Sequence, residues 1–154
     1  MVVQNFDEFE LKILQITRDY FSDESIQDEM KFYREKGLTF ELGFFRNKLI
    51  YALYKSGINA DVKGTKKQDC DVLIYRNNDK NIKLELKVTR KGTLSWLIKD
   101  GLERHHRANL YLFMVWRYIP EEKFTKLRNY LEKYGYLCDS KNTRDWVYIM
   151  IKRK

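Results

Sequence analysis

The chain is poor in the residues that break or staple small folds, with one proline, Pro120, and two cysteines, Cys70 and Cys138, in 154 residues. No run rich in Gly, Ser or Pro marks a linker, and no repeat interrupts the chain, so its length suits one domain spanning residues 1–154. The cysteines have neither CxxC spacing nor a histidine cluster beside them. This argues against a zinc site and against a disulfide framework, and both read as small buried apolar residues. No apolar run approaches the roughly 18 residues of a membrane helix, and the N-terminus lacks a basic segment followed by an apolar one. The expectation is an intracellular protein, of cytoplasm or nucleoid, with no membrane partner.

Positive charge is plentiful but uneven. Lys and Arg number 30 against 22 Asp and Glu. Residues 1–35 hold four basic against nine acidic residues, a net of −5, which leaves 26 against 13, or +13, for the rest. A basic body of this size implies a polyanion partner, because each Lys or Arg that neutralises a phosphate releases counterions and adds sequence-independent affinity. Nucleic acid is favoured over an acidic membrane, since no basic amphipathic helix with a broad apolar face is present. The eleven tyrosines and nine phenylalanines read as core and rim, without an RNA-stacking motif.

Periodicity gives an α/β alternation. Phe6, Phe9, Ile13, Ile16 and Tyr20 recur at helical spacing, and a more polar helix over about 24–36 stops at Gly37. A further helix runs from a Thr39 cap to Gly57, with Leu42, Phe45, Leu49, Ala52 and Leu53 on one side. The period then drops to two. "NADVK", "CDVLIY" and "IKLELKV" read as strands, the last two joined by the polar turn "RNNDKN". A helix over about 94–107 follows, then "LYLFMVW" as a strand buried on both faces. Pro120 opens a helix to about Tyr134, with Gly135 just past its end, and "WVYIMI" closes the fold as a strand. Residues 1–36 thus form an acidic helical N-terminal extension, 38–118 a core, and 119–154 a C-terminal helix and strand.

The stretch "KLELKV", residues 83–88, places Leu84, Leu86 and Val88 on one face and Lys83, Glu85 and Lys87 on the other. Val72 and Ile74 must share the apolar face, which sends Asp71 to the charged one, opposite Glu85 or Lys87 according to a one-residue shift of the turn. Two carboxylates and an ammonium therefore meet on one surface. Carboxylates on neighbouring strands are hard oxygen ligands suited to Mg²⁺ completed by water and substrate phosphate, and a nearby lysine can position the attacking water. The same three residues on a plain solvated face would be a salt-bridge cluster worth little.

Asp71, thirteen residues, then Glu85-Leu86-Lys87, on a hairpin preceded by a Glu-bearing helix and followed by a helix and a buried strand, resembles the PD-(D/E)xK nuclease superfamily. The order of elements over residues 38–118 is similar to the archaeal Holliday-junction-resolvase-like branch. The resemblance implies a restriction-endonuclease-like mixed sheet flanked by helices. It also implies a DNA endo- or exonuclease using Mg²⁺ or Mn²⁺, acting on double-stranded or branched DNA, with a homodimer required for junctions. By it, Asp71, Glu85 and the Leu86 carbonyl hold the metal, Lys87 serves the water, and Glu41 completes the catalytic set. Cys70 stands where the motif name has Pro. The helix after the motif lacks the Gln that several branches carry, with Lys99 as its stand-in.

Two basic segments flank the motif. Lys63, Lys66 and Lys67 in "KGTKKQ", and Arg90 and Lys91 in "TRKG", are the expected contacts to the DNA backbone. His105 and His106, adjacent at a helix end, fit capping of carbonyls better than acid–base work. A non-catalytic nucleic-acid-binding α/β protein is the alternative to the nuclease, and Mg²⁺-dependent cleavage separates the two.

Overall fold

The computed structural model describes residues 5–39, 41–62, 70–77, 79–89, 102, 108–116, 120–142 and 146–153. The expected helix over 94–107, apart from Leu102, and the candidate DNA contacts Lys63, Lys66, Lys67, Arg90 and Lys91 lie outside these residues.

Helix α1 (Glu8–Phe21) starts in a reciprocal cap: the Glu10 N–H donates to Asp7 Oδ1 and the Asp7 N–H to Glu10 Oε1, both at 2.8 Å. Helix α2 (Glu24–Lys36) opens on Asp23 and ends at Gly37, whose φ of +66° suits a residue without Cβ. The expected single α-helix after Thr39 divides in two. Glu41–Arg46 forms a π turn, and only Asn47–Lys55 is α-helical (α3).

Three antiparallel strands follow, β1 (Ala60–Val62), β2 (Val72–Ile74) and β3 (Ile82–Thr89), then β4 (Leu110–Trp116) parallel to β3. Helix α4 (Glu121–Lys133) leads to β5 (Tyr136–Asn142) and β6 (Trp146–Arg153). The sheet order is β1-β2-β3-β4-β6-β5, a mixed six-stranded sheet. Pro120 is the N-cap of α4 rather than its first residue. Strand β5 was not expected: it starts directly after Gly135 and carries Asp139, Ser140 and Lys141 at the sheet edge, with no apolar alternation to reveal it.

Each sheet face is covered. On one side Leu84, Leu86, Leu110, Leu112, Tyr148 and Met150 pack against Ile13, Leu14, Phe21, Phe44, Phe45, Leu49 and Leu53 from the first helices. On the other, Tyr111, Phe113, Val115, Ile149 and Ile151 pack against Phe124, Leu127 and Leu131 of α4 and against Leu102. Strand β4 is buried on both faces, as its unbroken apolar run implies.

The acidic N-terminal segment packs on the core. Ile13, Leu14 and Phe21 are fully buried, and the Lys152 ammonium of β6 donates to Glu10 Oε1 at 2.6 Å over the Phe6 ring. Arg76 bonds Asp7 Oδ2 at 3.1 Å and stacks on Phe9, tying the start of α1 to the residues just after β2. Among the described residues, no helix is long and apolar enough to cross a membrane.

Candidate active site

The register is Val72↔Leu84, Leu73↔Lys83, Ile74↔Ile82, and Asp71 lies just beyond it, on the side of Glu85 rather than of Lys87. Strand β2 is Val72–Ile74, shorter at both ends than the expected "CDVLIY", and Asp71 lies just before it. Its carboxylate Oδ2 accepts the Leu86 N–H at 2.9 Å, while its own N–H donates to the Leu84 carbonyl at 3.0 Å. Two residues on, the Val88 N–H donates to Glu41 Oε2 at 2.8 Å. Beyond the end of β2, two carboxylates thus take the amides that a neighbouring strand would otherwise bond. Because the N–H and C=O of one strand residue point to the same edge, the Leu86 carbonyl faces this edge too.

The charged row of β3 is not uniformly wet. Lys83 is exposed, Lys87 half-buried, and Glu85 only 6% exposed. Glu85 pairs with Tyr111 of β4, which is itself fully buried, so its carboxyl lies at the margin of an apolar face. Burial pushes the Glu85 carboxyl up to about 8, helped by the Asp71 carboxylate, by a hydrogen bond between the two carboxyl groups and by Glu41, and opposed by the Lys87 ammonium. Tyr111, whose hydroxyl accepts from Arg153 Nη2 at 3.1 Å, is also pushed up, first by burial.

Glu41, Asp71, Glu85 and Lys87 therefore act on one another electrostatically, and the Leu86 backbone lies among them. Among the described residues, no three His, Cys, Asp or Glu side chains are gathered closely enough to form a ligand shell by themselves. The donor set nevertheless fits a hard divalent ion, which takes one or two carboxylates and fills its remaining positions with carbonyl, water or phosphate oxygen. Mutually repelling carboxyl groups at a partly buried position are the environment a cation relieves. Sequence reasoning missed the buried Tyr111 beside Glu85 and the Arg153 bonded to it. The signal for Tyr111 was the parallel pairing of "LYLFMVW" with "IKLELKV", whose register the sequence does not specify.

The fold and site define an α/β protein with a carboxylate cluster beside the stretch of β3 that, among the described residues, no strand pairs on the β2 side. Comparison of the chain with family models, with curated proteins and with solved structures gives no match.

Proposed function

We propose that the protein is a Mg²⁺- or Mn²⁺-dependent phosphodiesterase acting on DNA, a nuclease of the PD-(D/E)xK kind. The observation that carries this reading is the buried Glu85 on β3, flanked by the Asp71 carboxylate on the Leu86 N–H and the Glu41 carboxylate on the Val88 N–H. The order of elements adds support: a helical segment bearing Glu41, the β2–β3 hairpin and the buried β4 follow one another in the order on which the resemblance rests.

Asp71, Glu85 and the Leu86 carbonyl would hold the cation, which when bound polarises a phosphoryl oxygen and acidifies a bound water. Asp71 keeps one oxygen on the Leu86 N–H, and that fixes the direction of the other. Glu41 is fixed in the same way by Val88. Lys87 offsets the negative charge of the cluster, orients the attacking water by hydrogen bonding and stabilises charge that grows on the phosphate. Lys63, Lys66, Lys67, Arg90 and Lys91 supply contacts to the sugar–phosphate backbone, and cleavage of a four-way junction would require a two-fold homodimer.

Incubation with linear, nicked, flapped and four-way DNA, with and without Mg²⁺, tests the reading. Cleavage should appear only with Mg²⁺ or Mn²⁺ and vanish in Glu85→Gln. One observation favours a second reading: Asp71 and Glu41 each give an oxygen to a backbone amide, which is also a purely structural task. A non-catalytic nucleic-acid-binding protein would bind the same DNA panel and cut none of it.

A further inference from the structure

The segment that carries Glu41 is a π turn, and this conformation has an identifiable consequence. A π turn holds one residue more than an α turn and is uncommon, because its wider ring packs less well about the helix axis. Here it spans Glu41–Arg46 and passes directly into α3. The residues that follow Gly43 are anchored: Phe44, Phe45, Leu49 and Leu53 are all buried in the core facing the sheet. Any change in residue count before Phe44 must therefore be absorbed upstream, where Glu41 lies.

Two local features fit the turn around Gly43. A Cβ built there would come within 3.3 Å of the Thr39 Cβ, so glycine lets the preceding chain lie close against the turn. The Gly43 carbonyl accepts the Asn47 side-chain amide at 3.4 Å, a long bond from a side chain four residues on. At the other end of the same turn, the Glu41 carboxylate reaches the Val88 N–H at 2.8 Å, across 47 residues of sequence.

We propose that the π turn is a positioning device: the extra residue it accommodates, Gly43, sets the helical phase that brings the Glu41 carboxylate onto the Val88 N–H of β3. Restoring an ordinary α turn would rotate the preceding residues by about 100° and shift them by about 1.5 Å along the axis. Glu41 then leaves Val88. The backbone statement stands on geometry alone, and its bearing on catalysis rests on the nuclease reading.

The test is amide hydrogen exchange at Val88 in the ¹⁵N-labelled full chain, without metal and with Mg²⁺. Glu41→Ala should speed Val88 exchange by about tenfold or more, the size expected for losing a charge-assisted hydrogen bond. Deleting Gly43 should do the same while Phe44, Phe45 and Leu49 keep their native chemical shifts. Adding Glu41→Ala to the deletion should then change Val88 no further. Exchanging the residues at 40 and 41 in the deletion (Phe40→Glu with Glu41→Phe) returns a carboxylate to the vacated phase and should restore protection. If the deletion alone does not fold, an alanine inserted after Gly37 restores the upstream length and the comparison is repeated. Val88 remaining protected in any folded Gly43 deletion, or in Glu41→Ala, overturns the proposal. Cleavage measured in parallel separates the two ideas: a wild-type chain that cuts nothing but shows this Val88 pattern sinks the nuclease reading and leaves the positioning role standing.

Discussion

Asp71, just before β2, gives a carboxylate oxygen to the Leu86 N–H, the residue after the buried Glu85, and burial together with this proximity raises the Glu85 carboxyl. Beside the buried Tyr111 and the Asp71 carboxylate, ionising Glu85 is costly, so it holds its proton or gathers a cation. The relationship turns a row of charge on a strand into a site with a definite demand.

That demand shows as a pH dependence of stability. The Glu85 carboxyl is pushed up to about 8 from its ordinary 4.5. A group raised on folding stabilises the native state below its unfolded pKa, and this contribution disappears as pH rises through the folded value. Urea midpoints of the metal-free wild type should therefore fall, relative to Glu85→Gln, between about pH 4.5 and 8, with Mg²⁺ narrowing the gap. Parallel curves for the two proteins would contradict the burial of Glu85 beside Asp71.

Glu41 separates charge from hydrogen bonding. Glu41→Gln keeps an oxygen for the Val88 N–H and should hold stability near the wild type while slowing cleavage strongly. Glu41→Ala should also cost about 1.5–3 kcal/mol in stability, since it strands a hydrogen bond to a charged group. Thermal melts and initial cleavage rates on the same preparations check both, and full activity of Glu41→Gln would remove Glu41 from the catalytic set.

The Glu10–Lys152 pair provides a variant that tests the fold without touching the site. Both side chains are largely buried, at 9% and 18% exposure, and they meet at 2.6 Å. Lys152→Met should destabilise by about 3–5 kcal/mol because it leaves the Glu10 charge unpaired, and Glu10→Leu added to it should recover much of the loss. Chemical denaturation reads this directly. A loss below about 0.5 kcal/mol would mean that the pair contributes nothing to docking α1.

The basic segments make a prediction about salt. Lys66→Ala with Lys67→Ala should weaken binding similarly for all DNA sequences and lower the slope of log K against log salt by up to about 2, one for each phosphate no longer neutralised. Fluorescence anisotropy at several salt concentrations measures it. An unchanged slope takes both lysines out of the interface.

Much of the fold was legible because its signals are local. Helical spacing revealed α1, Gly37 and Gly135 marked helix ends with φ of +66° and +85°, and the apolar run of β4 announced burial on both faces. The hairpin left two registers for Asp71, and the structure pairs Val72 with Leu84, which leaves Asp71 beyond the ladder with its carboxylate on the Leu86 N–H. Alternation could not separate Lys83 from Glu85, since a period of two assigns a face and not a depth. The depth comes from Tyr111, which lies on a strand paired with β3 only after a long connection. The π turn escaped notice because "ELGFFR" keeps a helical apolar pattern, and β5 escaped because an edge strand tolerates polar residues.

The most direct measurement compares Glu85→Gln with Lys83→Ala in Mg²⁺-dependent cleavage of the DNA panel. The two residues share a face of β3, but Lys83 is exposed while Glu85 is buried against Asp71. The account predicts that Glu85→Gln binds DNA as well as the wild type or better and cuts none of it, whereas Lys83→Ala cuts at close to the wild-type rate. Glu85→Gln cutting as fast as Lys83→Ala on every substrate that the wild type cleaves would contradict it.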